Sequence, residues 1–570
     1  MHKHSKIVSV GLAASLLGST ALTTVATAMA QEVEGADDKG DVIIVTSSRR
    51  EQNILDVPYN ISSISGDDIE AARILEPAEL LRSIPGVSTI DRGQRNAGTL
   101  NAARIRGLSV EGGGQGDVAL SAVATVSTYV NDTPIFANLR LLDLERVEVL
   151  RGPQGTLYGS GSLGGTIKYV TRDPVFGEMA GYAAVSASHV DGSDSIGFDY
   201  EGMVNLPIGE NAALRIVGSV SDFPGITDYV NVYTLDENGI PVAPNGVLDP
   251  AAVFESVEDA DTFESWTGRA TFRWEPTDNF DVRMVHTRQS DEVGGRRQVT
   301  RGVDGFGEAY GEYENGAIQL EPSSRDVNAT SLEMNLDLGF ATLTSSSSHY
   351  DHTGESISEN TGFFAQAGFL SFYYNYPRPM ARADRSYADE AVVQEIRLVS
   401  NAGGQFDYAV GAFYRKQQLQ STQDGFVVGF QNFYNEFLPA FANLVDGDQD
   451  FIYNRVENFE ELALFGELTW HLSDRWSVTG GFRAFDNEAE NNTVIGSGVF
   501  STFVNPVSDP LNVDFEISED DILFKGTVAY EPTQDSLVYA TISEGLRTRS
   551  TTSVKKEENT TILICFRSHY

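Results

Sequence analysis

From about Val175 onward, the chain consists of segments in which apolar and polar residues alternate. A period of two is typical of β-strands with one face in an apolar environment. The links between these segments are of two kinds, because short turns such as 275–279, 472–475 and 531–535 alternate with stretches many times longer. Outer-membrane barrels have short turns on one side and long loops on the other, whereas a soluble sandwich has no reason to alternate them. The clearest segments are 181–188, 213–220, 268–274, 280–286, 332–338, 393–399, 408–414, 463–470, 476–482, 522–529 and 537–542.

The first 30 residues have the pattern of a secretory signal peptide. Lys3 and Lys6 give a positive start, residues 7–17 are mostly apolar, and Ala28-Met29-Ala30 is a small-residue cleavage pattern. The apolar run is too short for a membrane-spanning helix, and no later segment of the sequence offers a longer one. Insertion into a membrane must therefore use alternating strands closed into a barrel.

Charge and cysteine content exclude several classes of protein. The formal net charge is −41, and most of the excess acid follows residue 174. Nucleic-acid backbones are bound by basic surfaces, so this balance argues against nucleic acid as a partner. The single cysteine, Cys565, rules out an intramolecular disulfide framework and a cysteine-cluster metal site.

Residues 51–174 have the pattern of a compact domain with both helices and strands. Ser65 is placed as an N-cap before an acidic first turn, and Pro77 lies near the start of a second short helix. Residues 127–135 predict a hairpin with a two-residue turn, in which Pro134 favours an edge position.

The segment 144–171 is the most informative single motif. Val147 and Val149 alternate in its first part and Ile167, Tyr169 and Thr171 in its last part, which predicts two strands. Between them, glycines indicate a tight bend: Gly152, Gly155, Gly159, Gly161, Gly164 and Gly165. Residues 159–164 match the dinucleotide-binding glycine pattern, but the strand-like residues after them cannot supply the helix N-terminus that such a site requires.

These features together resemble the TonB-dependent outer-membrane receptors, from about Asp41 to about Arg547. The matching motifs are Asp41-Val-Ile-Ile-Val-Thr46, similar to the TonB box; 83–87, similar to a helix-to-strand turn; 105–108, similar to the Ile-Arg-Gly signature; and 144–171, similar to the end of the plug domain. The resemblance implies an all-β membrane fold: a transmembrane antiparallel β-barrel with an N-terminal α+β plug. The implied segments are a signal peptide (1–30), a flexible segment with the box (31–50), a plug (51–174), an incomplete barrel (175–547) and an atypical tail (548–570).

The predicted barrel is shorter than the family pattern. Roughly 13 strands follow the plug, against about 22 in plugged transporters. Composition changes after Arg547, so we expect a truncated receptor whose tail is out of frame. The box follows the cleavage site closely, which leaves no room for an additional periplasmic signalling domain and favours a plain transporter.

The resemblance also implies site residues. The strand bound by TonB of the inner-membrane TonB–ExbB–ExbD complex would be Val42, Ile43, Ile44, Val45 and Thr46; from the residues alone, an ordinary first strand of the plug is an equal alternative. Charged contacts within the plug, or from plug to barrel, are expected of Arg104, Arg106, Glu145, Arg146, Glu148 and Arg151, as structural ion pairs. Close packing or gating is expected of Gly107, Gly152, Gly155, Gly159, Gly164 and Gly165.

The predicted function is active, plug-gated import of a scarce ligand across the outer membrane of a Gram-negative cell. A ferric siderophore is the family's default ligand, and cobalamin, haem and carbohydrate are others. The alternatives are a passive porin-like channel, a secreted soluble binding protein and a non-functional fragment. Besides TonB and the ligand, outer-membrane lipid is the expected partner.

No enzyme, cofactor or metal is expected. Asp446, Asp448, Asp450 and Glu457 have calcium-loop spacing, but Phe451 stands where that loop needs glycine. His349 and His352 are three residues apart on a predicted strand, so they would point to opposite faces and could not chelate one ion.

Overall fold

A computed structural model of the chain describes residues 43–46, 49–50, 52–89, 103–108, 125–135, 137, 139–246, 248–304, 307–366, 376–401, 403–440, 447–497, 510–533, 536–545 and 559–568. Within 559–568 only the backbone is described. The predicted signal peptide, Val42 of the box, Asp446, and residues 548–558 and 569–570 of the predicted tail lie outside this part of the chain. Residues Ile44–Tyr570 form one compact unit.

The N-terminal part of this unit, called the plug here, contains three small sheets and three short helices in its described residues. Its elements are β1 (Ile44–Val45), β2 (Gln52–Asn53), β3 (Ile61–Ser65), α1 (Gly66–Ala71), α2 (Pro77–Arg82), β4 (Val87–Ser88), β5 (Arg104–Ile105), β6 (Val126–Val130), β7 (Thr133–Pro134), β8 (Leu144–Arg151), α3 (Gly155–Tyr158) and β9 (Gly165–Thr171). The main sheet has the order β3-β8-β9-β6-β7, and β1–β2 and β4–β5 form separate pairs.

Local sequence signals determine these elements. The Ser65 hydroxyl accepts a hydrogen bond from the Asp68 backbone N–H at 3.1 Å, and Pro77 is the first residue of α2, so both predicted helix starts are confirmed. Strands β6 and β7 form the predicted hairpin, with Pro134 on the sheet edge. The predicted bend between β8 and β9 also contains α3, a single helical turn that the sequence pattern did not indicate.

Most of the strands described after the plug form one large sheet. The remaining elements are β10 (Ala180–Ser188), β11 (Gly197–Pro207), β12 (Ala212–Phe223), β13 (Asp228–Tyr233), β14 (Phe254–Val257), β15 (Phe263–Thr277), β16 (Phe280–Val293), β17 (Glu314–Asn315), β18 (Ser323–Asp337), β19 (Ala341–Glu359), α4 (Thr361–Gln366), β20 (Ala381–Ser400), β21 (Phe406–Val427), α5 (Phe430–Phe437), β22 (Gln449–Ser473), β23 (Trp476–Ser497), β24 (Leu511–Thr533), β25 (Ser536–Gly545) and β26 (Asn559–Ser568). Fourteen strands follow one another in chain order, β10-β11-β12-β15-β16-β18 and then β19 to β26, and each pairs antiparallel with the next.

Side chains alternate across this sheet as the barrel prediction requires. On β22, Ala463 and Phe465 are fully buried against the plug side, whereas Leu462 and Leu464 are 57% and 59% exposed on the other side. A row of exposed leucines beside buried neighbours is typical of a sheet whose outer face lies in lipid. Within the described residues, no helix combines the length and the apolar character needed to cross a membrane.

Aromatic residues mark the end of the sheet that carries the short turns. Trp274, Trp470 and Trp476 lie there with 42% to 45% of their surface exposed, and the Trp476 and Tyr530 rings stack at 4.5 Å. Phe280 lies at the same end. Such positions are typical of the interfacial aromatic girdle of an outer-membrane barrel.

Long links occur at the opposite end, and they carry structure of their own. Strands β13, β14 and β17 form a three-stranded sheet outside the barrel wall. Ile240, Tyr376, Phe430 and Phe433 come from three different links and pack into one apolar cluster. The end with the long links is therefore covered by loops that contact one another.

Part of the predicted tail forms a strand. Residues Asn559–Ser568 form β26, which pairs with β25 over its whole length. The β-prone residues Ile562, Leu563 and Ile564 lie in this strand, which extends the large sheet by hydrogen bonding to the edge of β25. That the tail is out of frame stays a prediction.

The large sheet surrounds the plug. Plug side chains reach Asp199 on β11, Glu395 on β20 and Glu467 on β22, and α3 contacts β22 to β25. One apolar core lies within the plug itself, among α1, α2, β8 and β9. A second lies between plug and wall and includes Val45, Tyr158, Phe413 and Phe465.

Candidate functional site

The described part of the predicted TonB box is folded against the plug. Ile44 pairs with Asn53 and Val45 with Gln52, and the Val45 side chain is fully buried. The Thr46 backbone N–H donates to Glu148 Oε1 at 2.9 Å. The segment therefore occupies the position of an ordinary first strand, the alternative that the sequence left open, while its role as a partner-binding strand stays a prediction.

Glu148 connects the box to the motif that ends the plug. Its carboxylate is fully buried on β8 and accepts from Thr46 and, at 2.8 Å, from Arg146 Nε. Arg146 also forms an ion pair with Glu145, which is half exposed. The structure thus brings three predicted site residues, Glu145, Arg146 and Glu148, together beneath the box in a chain of ion pairs.

Arg49, three residues after Thr46, joins the plug to the barrel wall. Its guanidinium lies 3.0 Å from Asp132 of the plug and 2.9 Å from Glu395 of β20. It also lies over the rings of Tyr158 and Tyr129, 4.7 and 5.5 Å from their centroids. Aromatic faces and carboxylates together compensate for the burial of this charge.

Arg49 belongs to a network of five charges. Asp132 also pairs with Lys168 at 3.0 Å and with Arg397 of β20 at 2.6 Å, and Arg397 pairs with Glu395 at 2.9 Å. Burial by itself raises the pKa of Asp132, but the attraction of Arg397, Lys168 and Arg49 outweighs it and holds that pKa well below the usual value. Asp132 is therefore a permanent carboxylate that binds three cations.

Tyr129 lies against the same network. Burial, opposed by the nearby Arg49, raises its pKa to about 12. Its hydroxyl donates to the Tyr158 carbonyl oxygen at 3.2 Å, and the two rings meet edge to face at 5.0 Å. The aromatic pair holds Arg49 from the side of α3.

The Ile-Arg-Gly signature forms a tight turn. Arg106 and Gly107 both have positive φ, 56° and 77°, and the flanking residues Ile105 and Leu108 form a β-bridge. Such a turn needs two left-handed residues, and glycine suits the second of them. Arg104 precedes this turn in β5, opposite Ser88.

Arg151 connects β8 to the helix-to-strand turn. It donates to the Pro85 carbonyl oxygen at 2.5 Å and to the Ser62 hydroxyl at 2.8 Å. These contacts lie within the plug. Gly152 lies next to it, with its Cβ direction facing the Arg106 guanidinium.

The glycines of the bend permit close approaches. A Cβ on Gly165 would lie 2.1 Å from the Leu150 carbonyl oxygen, and one on Gly159 would lie 2.7 Å from Arg483 of the barrel. Gly155 faces the β25 backbone at 3.0 Å, and Gly164 faces the Thr125 carbonyl oxygen at 3.2 Å. Gly155 and Gly159 thus lie directly against the wall, where a side chain would crowd barrel atoms, whereas Gly164 and Gly165 permit close packing within the plug.

Several barrel residues that hold the plug were not predicted. Lys525 donates to Glu467 at 2.7 Å and to Tyr59 at 2.6 Å, and Arg215 pairs with Asp143 at 2.5 Å. The signal that could have found them is a charged residue on the inner face of an alternating strand. The set comprises Asp199, Arg215, Arg269, Glu395, Arg397, Glu467 and Lys525.

A cavity of about 540 Å³ lies between the box segment and the wall formed by β15 to β20. Thr46, Arg49 and Arg50 line one side of it, and Thr342 and Thr344 line another. Val170 and Val399 are the apolar members of its lining. The cavity is within the size range of small-molecule sites, and its surface suits a hydrophilic occupant.

The histidines do not form a chelating pair. His349 faces outward and bonds Glu390 at 3.1 Å, whereas His352 is fully buried and accepts or donates to Tyr387 at 3.0 Å. Their opposite orientation agrees with the prediction. In the described residues, no group of three or more potential metal ligands is present.

Two family models match the chain: the TonB-dependent receptor plug domain over residues 53–166 and the TonB-dependent receptor-like β-barrel over residues 285–554. The pesticin receptor of Yersinia pestis is 22% identical over 545 residues, which cover 93% of this chain and 66% of that receptor. The vitamin B12 transporter BtuB of Photobacterium profundum is 27% identical over 209 residues, which cover 36% of this chain and 32% of that transporter. The chain thus spans less than two thirds of the length of either relative.

Solved structures show the same fold. The crystal structure of the ferric yersiniabactin uptake receptor FyuA from Yersinia pestis superposes with a TM-score of 0.65 at 15% identity. The alignment covers 90% of this chain and 70% of that one. A β-barrel around a plug is therefore the architecture that the comparison supports.

Proposed function

Because the chain belongs to the family of TonB-dependent receptors, which are outer-membrane β-barrel proteins, we propose that it imports a scarce ligand across that membrane. Import is active and gated by the plug, which occludes the lumen. The family consists of transporters and receptors rather than enzymes, and no catalytic step is part of this proposal.

The proposed partner is TonB of the TonB–ExbB–ExbD complex, acting on residues 42–46. An extended segment near a chain terminus can add to the sheet edge of another protein through main-chain hydrogen bonds. The buried Val45 side chain and the Thr46 bond to Glu148 must be released before a partner strand can surround this segment. Ligand binding outside can regulate the process only if it changes the free energy of that release.

The observation that carries the proposal is the position of Arg49. A force applied to the box reaches Arg49 three residues later, and Arg49 is paired with Glu395 of the barrel. Displacement of the box therefore breaks a buried plug-to-barrel ion pair and uncovers the cavity behind Thr46. A gate that is opened by force on a terminal strand requires such a connection between that strand and the contact that holds the plug in the barrel.

The proposed ligand is hydrophilic, and a ferric siderophore is the first candidate. The names of the relatives and of the structural neighbour refer to pesticin, vitamin B12 and ferric yersiniabactin as ligands of those proteins. For this chain, the mostly charged and hydroxyl-bearing lining of the cavity behind the box supports a polar cargo. Outer-membrane lipid is the proposed surrounding of the outward leucine and tryptophan side chains.

Deletion of residues 42–46 tests the proposal. Cells that express the chain are supplied with a panel of ⁵⁵Fe-loaded siderophores, and both surface binding and uptake are measured. We expect uptake to disappear while binding at the cell surface is retained, because the deletion removes only the proposed coupling strand. Deletion of five residues from the preceding polar segment, 33–37, is the matched control. Uptake that survives the first deletion would show a passive channel instead.

A further inference from the structure

A row of hydroxyl side chains leads from the cavity behind the box along the inner face of β19. Thr342 and Thr344 line the cavity, and Ser346 and Ser348 continue the row toward the end with the long links. Thr344, Ser346 and Ser348 are all buried. Among the described residues, the Ser346 and Ser348 hydroxyls have no hydrogen-bond partner, so both are available to a polar molecule beside this wall.

The row ends at an apolar contact between the plug and three strands of the wall. The members of this contact are Ile135 and Ala137 of the plug, Val327 of β18, Tyr350 of β19 and Ala391 of β20. Tyr350 is the next inner-face residue after Ser348 and follows Thr344 by six positions. Roughly 20 Å of strand therefore separates the cavity from this contact.

Polar side chains of the wall are also present beyond the apolar contact. Gln417 Nε2 donates to Tyr350 Oη at 3.1 Å and to Asp389 Oδ1 at 2.7 Å. Asp389 is the next inner-face residue from Ala391 toward the long links. A polar group is buried without cost only where it finds a hydrogen-bond partner. The apolar contact is therefore the barrier between two polar parts of this wall.

The plug residues at this barrier are attached differently at their two ends. We call Thr133, Pro134, Ile135 and Ala137 the gate segment. Directly before it, Asp132 is bound by Arg49 of the segment after the box and by Arg397 of the wall. After it, Arg140 forms an ion pair with Asp199 of β11 at 2.7 Å, and its backbone N–H donates to Gln289 of β16 at 2.9 Å. Force on the box thus reaches the first end, whereas the wall holds the second.

We propose that the imported ligand passes between the plug and the wall of β18 to β20, and that the gate segment closes this route. The inference rests on the proposed import function and specifies its path. Displacement of Arg49 removes one of the three cations that hold Asp132, and the gate segment then turns away from the wall about Arg140. The side chains that separate at Ile135 and Ala137 are apolar, so their separation leaves no buried charge without a partner.

A second apolar contact between plug and wall lacks these properties. Leu142 of the plug packs against Met203 of β11 and Val217 of β12. On either side of Leu142, Arg140 and Asp143 form buried ion pairs with the wall. Separation at Leu142 would break these pairs and leave buried charges without partners, which is strongly unfavourable. We therefore expect this contact to stay closed while the gate segment moves.

Two engineered disulfides test the route. Cys565 is the only cysteine, so Cys565→Ser gives a cysteine-free background for the full chain. Ala137→Cys with Ala391→Cys ties the gate segment to β20, and Leu142→Cys with Val217→Cys ties the plug to β12 as the matched control. With ⁵⁵Fe-loaded siderophores, we expect the first disulfide to abolish uptake but not surface binding, and dithiothreitol to restore uptake. The control disulfide should leave uptake unchanged. Unchanged uptake with the first disulfide, or equal loss with both, would overturn the proposal.

Ion conductance in planar bilayers tests the route without a ligand and without TonB. Ile135→Ser with Ala137→Gly removes the apolar side chains of the gate segment. We expect a steady current through this variant and a much smaller one through the original chain and through Leu142→Ser.

A cysteine in the route shows where the current flows. Thr344→Cys, added to the gate variant in the cysteine-free background, should allow a bulky charged methanethiosulfonate reagent to reduce the current. Loss of the whole plug would instead give a current that the reagent hardly changes, and that result, or a gate variant no more conductive than Leu142→Ser, would overturn the proposal. Absence of uptake in both reduced disulfide variants would contradict import itself, and the conductance would still decide the route.

Discussion

Arg49 and Glu395 are separated by 346 positions in the sequence, yet their side chains meet at 2.9 Å in a fully buried ion pair. Arg49 belongs to the segment that follows the box, and Glu395 belongs to a barrel strand. The pair is therefore a direct connection between the segment on which TonB is proposed to act and the wall that the plug must leave.

Glu395→Gln should release the box segment. Removing one partner of a buried ion pair costs about 3 to 5 kcal/mol because the other charge remains buried. If the loss destabilises the docked state of the box segment, each 1.4 kcal/mol of it raises the undocked fraction of the segment about tenfold. In the Cys565→Ser background, we expect Thr46→Cys to react with a bulky maleimide at least about ten times faster when Glu395→Gln is present.

The control for that experiment is Glu460→Gln. Glu460 lies on the outward face of β22 and accepts a hydrogen bond from Tyr414 at 2.9 Å, away from the plug. It changes the same functional group without touching Arg49. Equal labelling of Thr46→Cys in the two variants would show that Glu395 does not hold the segment.

Asp132→Asn should weaken the plug at neutral pH more than at acid pH. Because its pKa is lowered in the folded protein, the carboxylate stabilises the fold at pH values above its unfolded pKa. That contribution is lost as the pH falls from about 4 through the folded value. At pH 7 the variant leaves Arg49, Lys168 and Arg397 with too little compensating charge, and we expect a loss of about 3 kcal/mol.

The measurement is the temperature at which the heat-modified form appears on gels. The difference between the original chain and Asp132→Asn should be large at pH 7 and smaller at pH 3. Asp486→Asn, on the outward face of β23, serves as the matched control and should show no such change. A difference independent of pH would contradict the role given to Asp132.

Gly165→Ala should loosen the end of the plug. Its φ is 153°, and a Cβ would lie 2.1 Å from the Leu150 carbonyl oxygen. An unfavourable backbone conformation and overpacking each cost about 1 to 3 kcal/mol. We expect trypsin to cut the plug faster while the barrel stays protected. Gly480→Ala, which meets no heavy atom within 4 Å, should leave the cleavage pattern unchanged.

Local features of the fold could be predicted because their signals lie within a few residues. Ser65 caps a helix that begins at the next residue, Pro77 starts α2, and Pro134 lies on a sheet edge. The turn at Arg106 and Gly107 likewise depends on residues that are adjacent in the sequence. Each needs only the conformational preference of a single residue.

The barrel strands were predicted shorter than they are. Alternation on β22 is clear from Ala463 to Trp470, but the strand begins at Gln449. A strand of 25 residues extends beyond a lipid band about 25 Å tall, and outside lipid both faces can be polar. Outside the lipid band the strand therefore lacks the apolar–polar alternation by which strands were predicted.

The charge network could not be predicted from spacing. Glu395 and Arg397 stand on the inner face of a strand whose outward neighbours include Ile396 and Leu398. Their position marks them as unusual but does not identify a partner. Asp132 lies in a hairpin turn that would ordinarily suit solvent. Glu395 and Arg397 reach Arg49 and Asp132 only because the large sheet curves around the plug, and that curvature depends on many strands at once.

Tryptophan fluorescence should report lipid contact on several sides of the barrel. The four tryptophans of the chain, Trp266, Trp274, Trp470 and Trp476, are all outward and 41% to 45% exposed. Aromatic residues at such positions lie against acyl chains or at the interface. In vesicles of brominated phospholipid we expect most of the emission to be quenched, and aqueous iodide to quench little of it.

Trp470→Phe with Trp476→Phe leaves Trp266 and Trp274, so residual quenching in that variant tests β15 separately from β22 and β23. Emission that responds to iodide and not to bromine would place these residues in water and contradict the outer-membrane barrel itself.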